Sequence, residues 1–230
     1  MEKRLVEESN FGKGFAPTVK RLRDSFLSCY TAPNSQGGEP MQELKKRILK
    51  EGRNLGKGIL KVDSFLNHQI DPMLMQRLGL ELARRFVHLE PTKVLTAETS
   101  GIAPALATAL ALGIPLVFAR KSPPLTMDFT IVKETCKSRT HGNIVELMVS
   151  TEYLRPNDRV LIIDDFLATA QTITALARLV EKVGAQVVGV GTIIEKTFEH
   201  GRENARDIHA PIESLAVVTD MDDGRIVIAD

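Results

Sequence analysis

One stretch, residues 160–172 with the sequence VLIIDDFLATAQT, restricts the fold of this chain more than any other. It opens on Val160, Leu161, Ile162 and Ile163, an unbroken apolar run dominated by β-branched residues. A run with no polar face for water reads as a strand buried on both sides, as in a parallel sheet. Two acids, Asp164 and Asp165, follow where that strand is expected to end, and then come the small residues Ala168, Thr169 and Ala170. From there Ile173, Leu176, Ala177, Val180 and Val183 recur on one face of an expected helix, 171–183, and Gly184 stands where its C-cap belongs. Strand, acidic pair, small-residue turn and helix start bring backbone N–H groups and a positive dipole end to the strand's carboxyl edge, where a phosphate can sit. Spacing alone leaves two readings open, a phosphate site and an ordinary solvated turn.

The same string resembles the ribose-5-phosphate signature of the type I phosphoribosyltransferases, in which an apolar strand, two acids and a small Thr/Gly-containing loop lead into a helix. The resemblance implies an α/β fold, a twisted and mostly parallel sheet flanked by helices, with a small hood subdomain. It implies that Asp164 and Asp165 hold the ribose hydroxyls at the reacting centre. It also implies that Ala168, Thr169, Ala170, Gln171 and Thr172 cradle the 5-phosphate of phosphoribosyl pyrophosphate (PRPP). One position departs from the pattern: the family usually has glycine where this chain has Ala170. A left-handed backbone there would cost an alanine roughly 1–2 kcal/mol.

The remaining bounds are broad. At 230 residues the chain can bury a sizeable core in one domain with appendages. A formal net charge of +1 offers no global field for nucleic acid or a membrane surface, so an anionic ligand must be held by local geometry. Cys29 and Cys136 lie far apart and match no metal spacing. No apolar run is long enough to span a bilayer, and the N-terminus lacks a signal-peptide core, so a soluble cytoplasmic protein is expected.

Residues 1–40 read as an N-terminal extension, weakly ordered, ending in the linker-like TAPNSQGGEP; a short amphipathic helix over 21–30 is its one periodic piece. The phosphoribosyltransferase domain is expected over 41–230, opening on a helix, MQELKKRILKEG. A short strand at 59–62 and a helix capped by Asp71-Pro72, with Leu74, Leu78, Leu82 and Phe86 inward, come next. Taken alone, Asn67 and His68 are a cap or loop pair. The string KVDSFLNHQIDP, however, closely resembles a hood segment of the family's bacterial xanthine-specific members, which implies that Leu60 and Asn67 touch the purine. The hood is expected from about 58–70 together with the C-terminal strands, 212–219 and 226–229. Strands at 93–98 and 115–119 bracket a helix at 102–112. The turn AETSGIAPA between them resembles the family's pyrophosphate loop, with Ser100 and Gly101 as contacts; Arg120 and Lys121 are further candidates. Residues 122–142 are polar and poorly periodic and resemble the family's flexible loop, here carrying the unusually basic 137–141. Strands are expected at 143–150 and 186–194. Lys196 alone reads as a surface lysine, but IIEKTF resembles the segment whose lysine reaches the purine oxygen, with the phenylalanine near the base.

These resemblances imply transfer of a 5-phosphoribosyl group from PRPP to xanthine, giving xanthosine 5′-monophosphate and pyrophosphate in purine salvage. They imply Mg²⁺ bound mainly through PRPP, with no metal ligands assigned to the protein, and a homodimer that binds neither nucleic acid nor membrane. The alternative is a PRPP-sensing regulator on the same fold.

Overall fold

The computed structural model describes residues 39–122, 130–137 and 144–229. Residues 1–38 of the expected extension, with its helix over 21–30, and most of the basic 137–141 segment lie outside them; the extension's last two residues, 39 and 40, already belong to the first described helix.

Helix α1 (Glu39–Glu51) buries Leu44 and Ile48 and stops where the Gly52 N–H reaches the Ile48 carbonyl at 2.9 Å. The hood follows. Strands β1 (Arg53–Asn54) and β2 (Leu60–Lys61) form a small antiparallel pair, closed by a turn in which Gly56, Lys57 and Gly58 all take positive φ. The strand expected over 59–62 is thus only two residues long. Val62 instead leads into a wide π-type turn, Asp63–Asn67, which buries Phe65 and Leu66 and projects Asn67 from its end. Helix α2 (Pro72–Phe86) begins as expected: Asp71 accepts from the Met73 and Leu74 N–H groups, and Leu74, Leu78, Leu82 and Phe86 are buried.

The remainder is β3 (Lys93–Ala97), α3 (Ile102–Leu112), β4 (Leu116–Ala119), β5 (Ile131–Lys137), β6 (Ile144–Ser150), β7 (Arg159–Leu167), α4 (Gln171–Val183), β8 (Gln186–Lys196), α5 (Gly201–Asn204), β9 (Ile212–Asp220) and β10 (Val227–Ile228). Six strands form the central sheet in the order β10-β9-β8-β7-β3-β4, parallel except for the antiparallel β9–β10 pair. The apolar run of β7 serves both faces. Leu161 and Ile163 join a core with α1, α2 and α3, while Val160 and Ile162 join a second core with α4. Each such fully buried side chain contributes roughly 1.5–3 kcal/mol.

Four expectations change. β7 does not end at the acids but runs on to Leu167, because β8 keeps pairing with it as far as Leu167↔Glu195. The C-terminal strands belong to the central sheet and not to the hood; their connecting turn merely touches β1, where the Asn54 amide donates to the Met221 and Arg225 carbonyls. Part of the expected flexible loop is strand β5, paired antiparallel with β6 from Ile131↔Ser150 to Lys137↔Ile144. Finally, β8 extends two residues further than read, to Lys196, and carries that side chain into the protein.

Candidate active site

The sheet opens between β3 and β7. Their pairing stops at Leu95↔Ile162, whereas β3 stays with β4 to Ala97↔Ala119 and β7 stays with β8 five residues further. The chain leaves β3 towards one edge and β7 towards the other, so a crevice forms at the carboxyl ends of the strands, the usual switch point for ligands in open α/β sheets. Asp164 and Asp165 stand there, each only 7% exposed. The Asp165 backbone N–H donates to Asp164 Oδ1 at 3.0 Å. Burial, and then the neighbouring charge of Asp165, push the Asp164 carboxyl well above the usual carboxylate range. Gly101 makes this packing possible: a Cβ there would lie 2.2 Å from Thr96 Oγ1 and 2.7 Å from Asp164 Oδ1. Its contribution is space beside the acid; its φ is an ordinary −69°.

Past the acids, the chain turns at Ala168–Ala170 into α4. Asn204 Nδ2 donates to the Thr169 carbonyl at 3.2 Å, and Gly201 sits so close that a Cβ would fall 2.3 Å from the Ala168 oxygen. Both carbonyls are therefore turned towards α5, and a planar peptide then directs the following N–H groups the opposite way. With the N-terminus of α4 beside them, these donors are placed as an anion cradle would need them. Ala170 has φ 60° and ψ 11°, the left-handed conformation in which the family's usual glycine is at ease. Ala170→Gly relieves roughly 1–2 kcal/mol of strain. It also loses about 0.8 kcal/mol of methyl burial and about 0.4–1 kcal/mol to unfolded-chain entropy. Urea unfolding should therefore place this variant within about 1 kcal/mol of the parent, whereas Ala170→Val, β-branched at positive φ, should lose roughly 1–3 kcal/mol.

A cavity of about 570 Å³ joins this cradle to the hood. Asn67, Leu60, Ser100, Lys196, both acids and residues 168–172 all line it. Asn67 Nδ2 donates to Asp165 Oδ2 at 2.9 Å, tying the hood to the acidic pair. Lys196 is 4% exposed, far from the surface lysine its residue type suggests. Its Nζ donates to the Gly58 carbonyl at 2.9 Å, lies 2.6 Å from Glu199 Oε1 and sits 5.4 Å from the centroid of the Phe166 ring. A second cavity of about 210 Å³ shares Ser100, Thr172 and the acids and adds Lys121, Glu98 and Cys136.

Three expected contacts are not brought in: Gly101, which packs behind Asp164 and lines neither cavity, Arg120 and Phe198. Arg120 lines neither cavity; its guanidinium lies 5.8 Å from the Phe118 ring, and its backbone bridges Met148. Phe198, expected near the base, lines a separate cavity of about 480 Å³. The aromatic of the site is Phe166, which shares the face of Asp164 two residues earlier, a relation visible only once β7 is known to pass the acids. Glu98 and Glu199 were likewise missed. Among the described residues no cluster of three or more His, Cys, Asp or Glu is placed to hold a metal, and no helix is long and apolar enough to cross a membrane.

This architecture has known counterparts. A family profile described as "Phosphoribosyl transferase domain" matches residues 62–222. The xanthine phosphoribosyltransferase of Deinococcus deserti is 47% identical over 190 residues, 83% of this chain and 98% of that protein. The protein of the same name from Moorella thermoacetica is 49% identical over 183 residues, 80% of this chain and 93% of its own. Among solved structures, Saccharomyces cerevisiae adenine phosphoribosyltransferase superposes with a TM-score of 0.64 at 26% identity, covering 77% of this chain and 99% of that one. A profile match over residues 62–222 and relatives at 47% and 49% identity along four-fifths of its length show that the chain belongs to the phosphoribosyltransferase family.

Proposed function

We propose that this chain transfers the 5-phosphoribosyl group of PRPP to xanthine, forming xanthosine 5′-monophosphate and pyrophosphate in purine salvage. The observation that carries this is the single cavity in which a donor from the sheet (Lys196), an amide and an apolar side chain from the hood (Asn67, Leu60), the acidic pair and the anion cradle all meet. The names and identities of the two curated relatives favour xanthine. They lend nothing to a PRPP-sensing regulator.

In this reading a purine ring nitrogen attacks C1 of the ribose, the bond from C1 to the pyrophosphate oxygen breaks, and the purine's ring proton passes to solvent. Positive charge develops on the ribose ring and negative charge on the leaving group. Asp164 and Asp165 accept hydrogen bonds from the ribose hydroxyls and face the cationic ring, Asp165 having acceptor sites beyond the one that Asn67 occupies. Residues 168–172 hold the 5-phosphate, while Ser100 and Lys121 border the pyrophosphate side. Catalysis is positioning plus electrostatic stabilisation. The hard carboxylate oxygens of Glu98, Asp164 and Asp165 along the smaller cavity suit Mg²⁺ held by one or two carboxylates and substrate oxygens. When bound, that ion neutralises the pyrophosphate charge.

Phosphorylated sugars do not cross membranes, which favours a cytoplasmic setting. Leu106 and Leu110, one turn apart on α3 and 57% and 72% exposed, favour a second copy of the chain over that helix. The activity is assigned to 41–230. Product formation from PRPP, Mg²⁺ and each of xanthine, guanine, hypoxanthine and adenine tests the proposal, with the full chain and with one lacking residues 1–38. Xanthosine monophosphate should form fastest with both. Absence of any nucleotide product would overturn the reading.

A further inference from the structure

Lys196 closes β8, and the chain then makes one 3-10 turn, Thr197–Glu199, sealed by the His200 N–H on the Thr197 carbonyl at 3.0 Å. That turn swings Glu199 back over Lys196, three residues on, where carboxylate and ammonium meet at 2.6 Å with side chains only 9% and 4% exposed. The pair stands in the partition between two cavities: Lys196 lines the one assigned to the purine, and Glu199 lines the neighbouring one. Competing acids face both sides, Asp164 and Asp165 in the first and Asp220, Asp222 and Asp223 in the second. A lysine is a point charge on a flexible four-carbon stem, so nothing in its own chemistry selects among these partners. Two acceptors do so here: Glu199 and the Gly58 carbonyl, which belongs to the positive-φ turn of the hood. Fixing two directions of a tetrahedral ammonium fixes the rest of its orientation.

We propose that Glu199 is a positioning residue: with the Gly58 carbonyl it clamps the Lys196 ammonium in the cavity wall, so that purine recognition depends on a carboxylate that does not itself touch the purine. The inference rests on the assignment of Lys196 to the purine made above, and the variants are chosen to separate the two.

Steady-state kinetics of Glu199→Ala, Glu199→Gln, Lys196→Met and the double variant Lys196→Met/Glu199→Ala test it, with thermal midpoints to report folding. Glu199→Ala should raise KM for xanthine at least roughly tenfold, the equivalent of one well-made hydrogen bond to a charged group, and leave KM for PRPP within about twofold. Glu199→Gln should largely restore the parent KM, since its amide oxygen accepts from the same ammonium. In the Lys196→Met background, Glu199→Ala should add nothing to KM for xanthine, and this comparison stands even where Glu199→Ala alone folds poorly. Equal rises in both KM values, a Gln variant as damaged as the Ala variant, or a full Ala effect without the lysine would each overturn the role of Glu199. An unaltered KM in Lys196→Met would overturn the purine assignment itself. A raised KM there beside an unaffected Glu199→Ala would overturn only the clamp.

Discussion

Asp164→Asn and Asp165→Asn should each lower kcat/KM for PRPP by roughly 10²-fold or more, the scale on which losing one preorganised electrostatic contact is felt. Asparagine matches aspartate in shape, so the bond from the Asp165 N–H to the oxygen at position 164 survives the first change. What is lost is negative charge opposite a ribose ring turning cationic. Stability should move the other way for Asp164→Asn. Burial and the charge of Asp165 raise the Asp164 carboxyl in the folded chain, so the native state binds its proton more tightly than the unfolded state does. The charged form weighs on the fold above the raised value, and that cost fades as pH falls through it. At neutral pH the asparagine variant should therefore melt higher than the parent, and its stability should depend less on pH on the weakly acidic side. Kinetics beside thermal melts from pH 5 to 8 check both halves. Full activity in both variants would remove the ribose role, and a lower midpoint for Asp164→Asn would remove the claim that burial and the charge of Asp165 disfavour the ionised Asp164.

The same pair shows where reading the sequence reaches and where it stops. Helix α4 was legible to the residue, because its apolar face repeats cleanly and Gly184, at φ 79°, ends it. The strand and helix on either side of the acids were legible from pattern. That pattern left a ligand crevice and a solvated turn equally open, and the resemblance alone pointed to the crevice. The continuation of β7 through the acids was not legible. Consecutive carboxylates argue for solvent, and only β8, pairing from outside the segment, holds them in a strand at 7% exposure. β5 was hidden for a related reason: IVKETCK mixes charge with β-branched residues, and its strand character is supplied by β6 and by packing on α4. Lys196 is the clearest case. Its hydrogen-bond acceptor on Gly58 is 138 positions away, a distance that no local periodicity spans. Resemblance, not pattern, directed attention to it.

Adenine should be a poor substrate, by at least roughly tenfold against the oxo-purines, and the reason lies in that lysine. An ammonium offers donors only. Xanthine, guanine and hypoxanthine present an acceptor oxygen at the 6-position, whereas adenine presents an amino donor there. Two donors facing each other at a buried ammonium leave both unmet, at about 1–3 kcal/mol. Lys196→Met should accordingly weaken xanthine, guanine and hypoxanthine together and narrow their advantage over adenine. Asn67 is expected to act at the 2-position, where xanthine carries an oxygen and hypoxanthine carries none. Its Nδ2 has two hydrogens; one meets Asp165 across 2.9 Å, and the amide stands in the wall of the same cavity as Lys196. Asn67→Ala breaks the tie to Asp165 for every purine, so some loss should be common to all. The informative quantity is the ratio: kcat/KM for xanthine should fall further than for hypoxanthine, closing the gap between them by roughly the 1–3 kcal/mol of an oxygen left without its donor. Three purines and the two single variants suffice for the measurement. An equal fall for xanthine and hypoxanthine in Asn67→Ala would leave Asn67 as a hood tether alone, with the 2-position read by another group.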